Sequence, residues 1–97
     1  MKKIKLMADY ECYPLWNLAP GEYGDIDPSE LPISKELQER LLNWAKTYDA
    51  ILNRDDPASS AFPTAAAEEE FKNEGNRIAE ALQNQLGSAY EVVTQII

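Results

Sequence analysis

The hydrophobic period changes twice along this 97-residue chain, and those changes restrict the folds open to it. Over residues 3–9, Ile4, Leu6 and Ala8 alternate with Lys3, Lys5 and Asp9, the pattern of a half-buried strand. From Leu37 the period lengthens to that of a helix: Leu37, Leu41, Trp44 or Ala45, Tyr48 and Leu52 fall on one face. A second stripe follows in Phe71, Gly75, Ile78, Leu82 and Leu86. Residues 89–97 then turn β-branched and read as a strand again. Strand, two helices and strand predict a two-layer α/β (α+β) fold. A small sheet pairs the N- and C-terminal strands, and both long helices lie on one face of it.

Local signals place the boundaries. Ser34 is suited to cap a helix over about 35–53, with Glu36 in its first turn. Thr64 can cap the second helix, whose early Glu68, Glu69 and Glu70 suit the positive end of the helix dipole, and Gly87 can end it. Gly75 lies on a buried stripe although glycine weakens a helix by about 1 kcal/mol relative to alanine. A close approach of another element would explain it. The segment Tyr10–Leu18 either extends the first strand or forms another, with Pro14 at an edge or bulge. Pro20, Gly21, Gly24, Pro28 and Pro32 make residues 19–33 a loop, and residues 54–64 make another. The last strand carries apolar side chains on both parities. It is therefore expected either at the centre of the sheet or against another chain. Residues 1–97 have room for one domain and one core.

Charge narrows the function. The net charge is −8, and the first six residues contribute three lysines and no acid. Six basic against seventeen acidic side chains remain over residues 7–97, a net −11. Such a field repels phosphate, so direct nucleic-acid binding is not expected, whereas a basic partner would be attracted. The field also serves solubility. Nothing approaches the roughly 20 apolar residues of a membrane span, and the alternating N-terminus is unlike a signal peptide. With a single cysteine, Cys12, no internal disulfide can form, and the expected location is the cytoplasm.

The catalytic inventory is thin. The chain has no histidine, which removes the commonest general base and every Ser–His or Cys–His nucleophile pair. Cys12 lies between Glu11 and Tyr13, and nearby acid raises a thiol pKa. No phosphate-binding glycine loop is present. Asp25 with Asp27, and Asp55 with Asp56, are the carboxylate pairs that could meet a divalent cation, but no full ligand set accompanies them. Asp27 and Asp56 each precede a proline and read as turn or capping residues. No cofactor, no metal and no catalytic residue are expected.

What remains is recognition. Asp55, Asp56, Asp25 and Asp27 are candidate contacts for Arg or Lys on a partner. Tyr10, Tyr13 and Trp16 are candidate aromatic anchors, with core packing as the competing role. Phe62, in the second loop, reads as a plug for the core.

Four blocks carry a resemblance: Ala8-Asp9-Tyr10 through Cys12-Tyr13-Pro14-Leu15-Trp16, Ile26-Asp27-Pro28 through Leu31-Pro32, Trp44-Ala45 through Tyr48-Asp49-Ala50, and Asp55-Asp56-Pro57-Ala58-Ser59-Ser60-Ala61-Phe62. Together they resemble a group of small bacterial proteins of about this length. In size, acidity and lack of catalytic groups the chain also resembles the immunity proteins of contact-dependent growth inhibition systems. That resemblance implies a cytosolic antidote that binds a toxin's C-terminal domain, often a nuclease, and blocks its active site. Toxic nucleases are usually basic, because they bind phosphate backbones. The alternative is a homo-oligomeric structural or accessory domain, a homodimer formed through the sheet. A third reading, a carboxylate-dependent metal hydrolase, has to do without histidine.

Overall fold

The computed structural model describes residues 2–18, 21, 24–51 and 61–96. Four strands, β1 (Lys2–Leu6), β2 (Leu15–Asn17), β3 (Asp25–Ile26) and β4 (Tyr90–Thr94), form one sheet in the order β3-β2-β1-β4. The N- and C-terminal strands pair in parallel, Lys2 opposite Tyr90 and Leu6 opposite Thr94. β2 runs antiparallel to β1 and β3 antiparallel to β2. The two long helices are α1 (Lys35–Asp49) and α2 (Ala65–Leu86).

The alternation in β1 does what its period requires. Ile4 and Leu6 are fully buried, while Lys3 is exposed and Lys5 half-buried on the opposite parity. Leu15 and Ile26 extend the buried row across β2 and β3. Against it lie Leu37, Leu41 and Trp44 from α1 and Phe71, Ile78, Leu82 and Leu86 from α2, all in one cluster. Full burial of each such side chain contributes about 1.5–3 kcal/mol. Both helices therefore cover one face of the sheet, as expected.

The caps are those read from the sequence. Ser34 Oγ accepts from the Leu37 N–H at 3.1 Å, and Thr64 Oγ1 from the Ala67 N–H at 3.0 Å. Gly87 ends α2 at φ 69°, a conformation that disfavours other residues. The Gln85 side chain accepts from the Ser34 N–H at 2.7 Å and so ties the start of α1 to the end of α2. Pro14 is fully buried just ahead of β2, in the connection from β1.

Three expectations need correction. α1 ends at Asp49, short of residue 53, with Ala50 as its C-cap; Leu52 lies outside the described residues. Of the two settings expected for the last strand, the centre of the sheet is excluded: β4 is an edge strand. Its apolar residues on two parities have separate uses: Tyr90, Val92 and Ile96 pack on the core, whereas Val93 stands opposite Lys5 in the register. The breaker-rich stretch is also more than a loop, since it contains β3 and a 3₁₀ turn over Pro28–Glu30. No helix among the described residues is long and apolar enough to cross a membrane.

Gly75 sits where its sequence position implied. A Cβ added there would stand 2.7 Å from Ile96 Cδ1 and 2.8 Å from Trp44 Cζ2. The glycine lets α2 approach α1 and the segment after β4 together.

Candidate partner-binding site

The connection between β1 and β2 and the last turns of α1 define a groove of about 400 Å³. Its lining is Glu11, Cys12, Tyr13, Asp25, Leu42, Ala45, Lys46 and Asp49. Backbone geometry draws the acids together. Glu11 adopts a positive φ of 60°, and its N–H donates to Asp49 Oδ1 at 2.9 Å. The Tyr13 N–H donates to Asp25 Oδ2 at 2.8 Å. Each carboxylate is thereby fixed through one oxygen. Between them, Tyr13 (39 % exposed) and Leu42 (37 % exposed) offer apolar surface to solvent.

The field in the groove is negative. The Cys12 thiol is pushed above its ordinary pKa by partial burial and by the charges of Asp9, Asp25, Asp49 and Glu11. A thiol in that state is a poor nucleophile. Tyr13 is likewise raised, by the Asp27 charge first and by its hydrogen bond to Asp27. Asp27 caps the 3₁₀ turn, its Oδ1 accepting from the Ser29 N–H at 2.9 Å. That bond and the Ser29 hydroxyl, against an opposing effect of desolvation and with the smaller help of the Tyr13 hydroxyl, hold the Asp27 carboxyl below its usual pKa.

The sign of the resulting pH dependence is fixed. A depressed folded-state pKa contributes stability above the unfolded value near 3.9, about the model-peptide figure, and that contribution is lost as pH falls through the folded value. Urea midpoints measured below about pH 4 are therefore expected to fall less for Asp27→Asn than for the wild type. Equal slopes would mean that Asp27 has the same pKa folded and unfolded.

Of the residues singled out from sequence, Tyr13, Asp25 and Asp27 come together at this site. Tyr10 leans away from it: its ring stacks on Tyr48 at 4.7 Å, and Tyr48 in turn stacks on Phe71 at 5.7 Å. Trp16 lies in β2 on the parity opposite the buried Leu15, opposite Lys5, and its Nε1 donates to the Met7 carbonyl at 2.8 Å. Asp55 and Asp56 lie outside the described residues. Phe62 packs on the core, 5.2 Å from Phe71.

Leu42 and Asp49 were not singled out. Leu42 carried a readable signal, an apolar residue one position off the buried stripe of Leu41. Asp49 carried none, because its role depends on the distant backbone of Glu11.

Comparison with known proteins adds one finding: the family model described as Serratia CdiI immunity protein-like matches residues 2–95. No curated protein matches the sequence.

Proposed function

The chain belongs to the Serratia CdiI immunity protein-like family, and from that membership we propose that it is a cytoplasmic antidote to one cognate toxin domain. In this reading it is not an enzyme. It binds the toxin of its own contact-dependent growth inhibition system and neutralises it by occlusion. The observation that carries the reading is the family match over nearly the whole chain. The charge of −8 supports a basic toxin, a nuclease being the activity for which a basic surface is most needed.

The contact residues we favour are the acids of the groove with Tyr13 as the aromatic anchor, and Asp55, Asp56, Tyr10 and Trp16 are the other candidates. The groove suits a long basic side chain. An arginine stem can lie along Tyr13 and Leu42 while its guanidinium meets Asp25 or Asp49. Exposed carboxylates at the rim would act on association rate and salt dependence. Breaking a desolvated Asp–Arg pair would cost about 2–5 kcal/mol of binding.

The test is protection. Expressed with the toxin encoded beside it, the chain is expected to rescue growth and to co-purify with the toxin. No rescue and no binding would reject the antidote role. Asp55→Ala with Asp56→Ala, and separately Leu42→Glu, are expected to weaken binding while leaving circular dichroism unchanged. Unchanged affinity in both would leave the role standing and remove the assigned surface.

A further inference from the structure

As an edge strand, β4 exposes one row of backbone groups to whatever lies beside the sheet. Parity identifies that row. The Gln95 N–H donates to the Leu6 carbonyl at 2.9 Å, so the odd positions of β4 face β1 and Tyr90, Val92 and Thr94 face outward. A neighbouring strand would have to bond to those three residues.

Part of that place is taken by a side chain. Gln83, in the penultimate turn of α2, reaches over the edge. Its Nε2 donates to the Tyr90 carbonyl at 2.9 Å, and its Oε1 accepts from the Val92 N–H at 2.9 Å. Nε2 also donates to the Gly87 carbonyl at 3.1 Å, which fixes the amide's orientation. A primary amide presents the same donor and acceptor as a peptide group. Gln83 thus occupies one repeat of the missing ladder.

We propose that Gln83 is a plug that keeps β4 from pairing with β4 of a second copy of this chain. An unprotected edge is a template for self-association. The self-pairing it prevents is antiparallel about a two-fold axis at Val92, the symmetry commonest among homodimers. Val92 then faces its own copy and Tyr90 faces Thr94, so every outward residue of the strand is used. Glu91 faces Val93 in this register, which keeps acid away from acid. A shift that set Glu91 against itself would be repulsive and would leave one outward residue unused. The inference is independent of the antidote reading, because it concerns the chain alone.

Sedimentation equilibrium of the purified chain tests it. The wild type is expected to remain a 10.9 kDa monomer at micromolar concentration. Gln83→Met keeps the length and helix propensity of the side chain but removes the amide's hydrogen bonds to Tyr90 and Val92, and it is expected to double the mass. Adding Val92→Pro to that variant deletes the outward N–H and is expected to restore the monomer. Hydrogen exchange gives a second readout: the Val92 amide should be protected in the wild type and lose that protection in monomeric Gln83→Met at high dilution. A wild type that already dimerises, or a folded Gln83→Met that stays monomeric at every concentration, would overturn the proposal. So would a dimer that survives Val92→Pro.

Discussion

Gly75→Leu is expected to destabilise the protein by about 1–3 kcal/mol through overpacking. For a domain of this size that corresponds to a loss of at least about 4 °C in melting temperature. The cost arises from what surrounds the site. Ile96 offers only a flexible δ-methyl group, which can rotate away from a new side chain. Trp44 cannot yield as easily: it is 3 % exposed, its indole N–H donates to the Phe71 carbonyl at 2.9 Å, and its ring lies parallel to Phe71 at 4.5 Å. Even Gly75→Ala should fail to realise the gain of about 1 kcal/mol that alanine brings to a helix. Thermal unfolding of the two variants checks both statements. A Leu variant as stable as the wild type would mean that α1 and α2 do not meet at Gly75.

Trp44→Ala is expected to cost more, about 3–5 kcal/mol, the range for removing a large buried aromatic side chain. Three losses add: the buried ring, its stacking on Phe71, and the indole hydrogen bond to the Phe71 carbonyl. Small domains are commonly stable by about 5–15 kcal/mol, so the variant should be largely unfolded at modest urea concentrations. The pair also offers an internal control. Once the indole is gone, a side chain at position 75 has room, so Gly75→Leu should cost less on the Trp44→Ala background than alone. Additive costs would remove Trp44 as the obstacle at Gly75.

Much of the fold was legible because its signals are local. The buried stripe of α2 is the one read from its spacing, and Ser34, Thr64 and Gly87 perform the capping roles that their chemistry suggested. Gly75 could be placed at a contact because a glycine on a buried stripe needs a reason. β3 was not legible: two residues flanked by acids and breakers carry no period. The edge position of β4 was missed for a different reason. Apolar residues on both parities suit a central strand as well as a strand against another chain, and here one parity serves the core while the other lies beside a lysine stem. The site was half legible. Tyr13, Asp25 and Asp27 follow from residue type, but the groove exists only because Asp49 meets the backbone of Glu11, a contact between segments far apart in sequence.

The parallel pairing of β1 with β4 sets an order of events during synthesis. β1 precedes β4 in the chain, so it leaves the ribosome before the partner on one of its sides. Until residues 90–94 emerge, β1 can pair only with β2, and the second helix lacks the strand it packs beside. Pairing segments so distant in the chain also slows folding, since the loop entropy has to be overcome before the contacts form. A chain that stops short of residue 90 therefore lacks one neighbour of β1. For the proposed antidote, a chain cut short of β4 is therefore expected to give no protection.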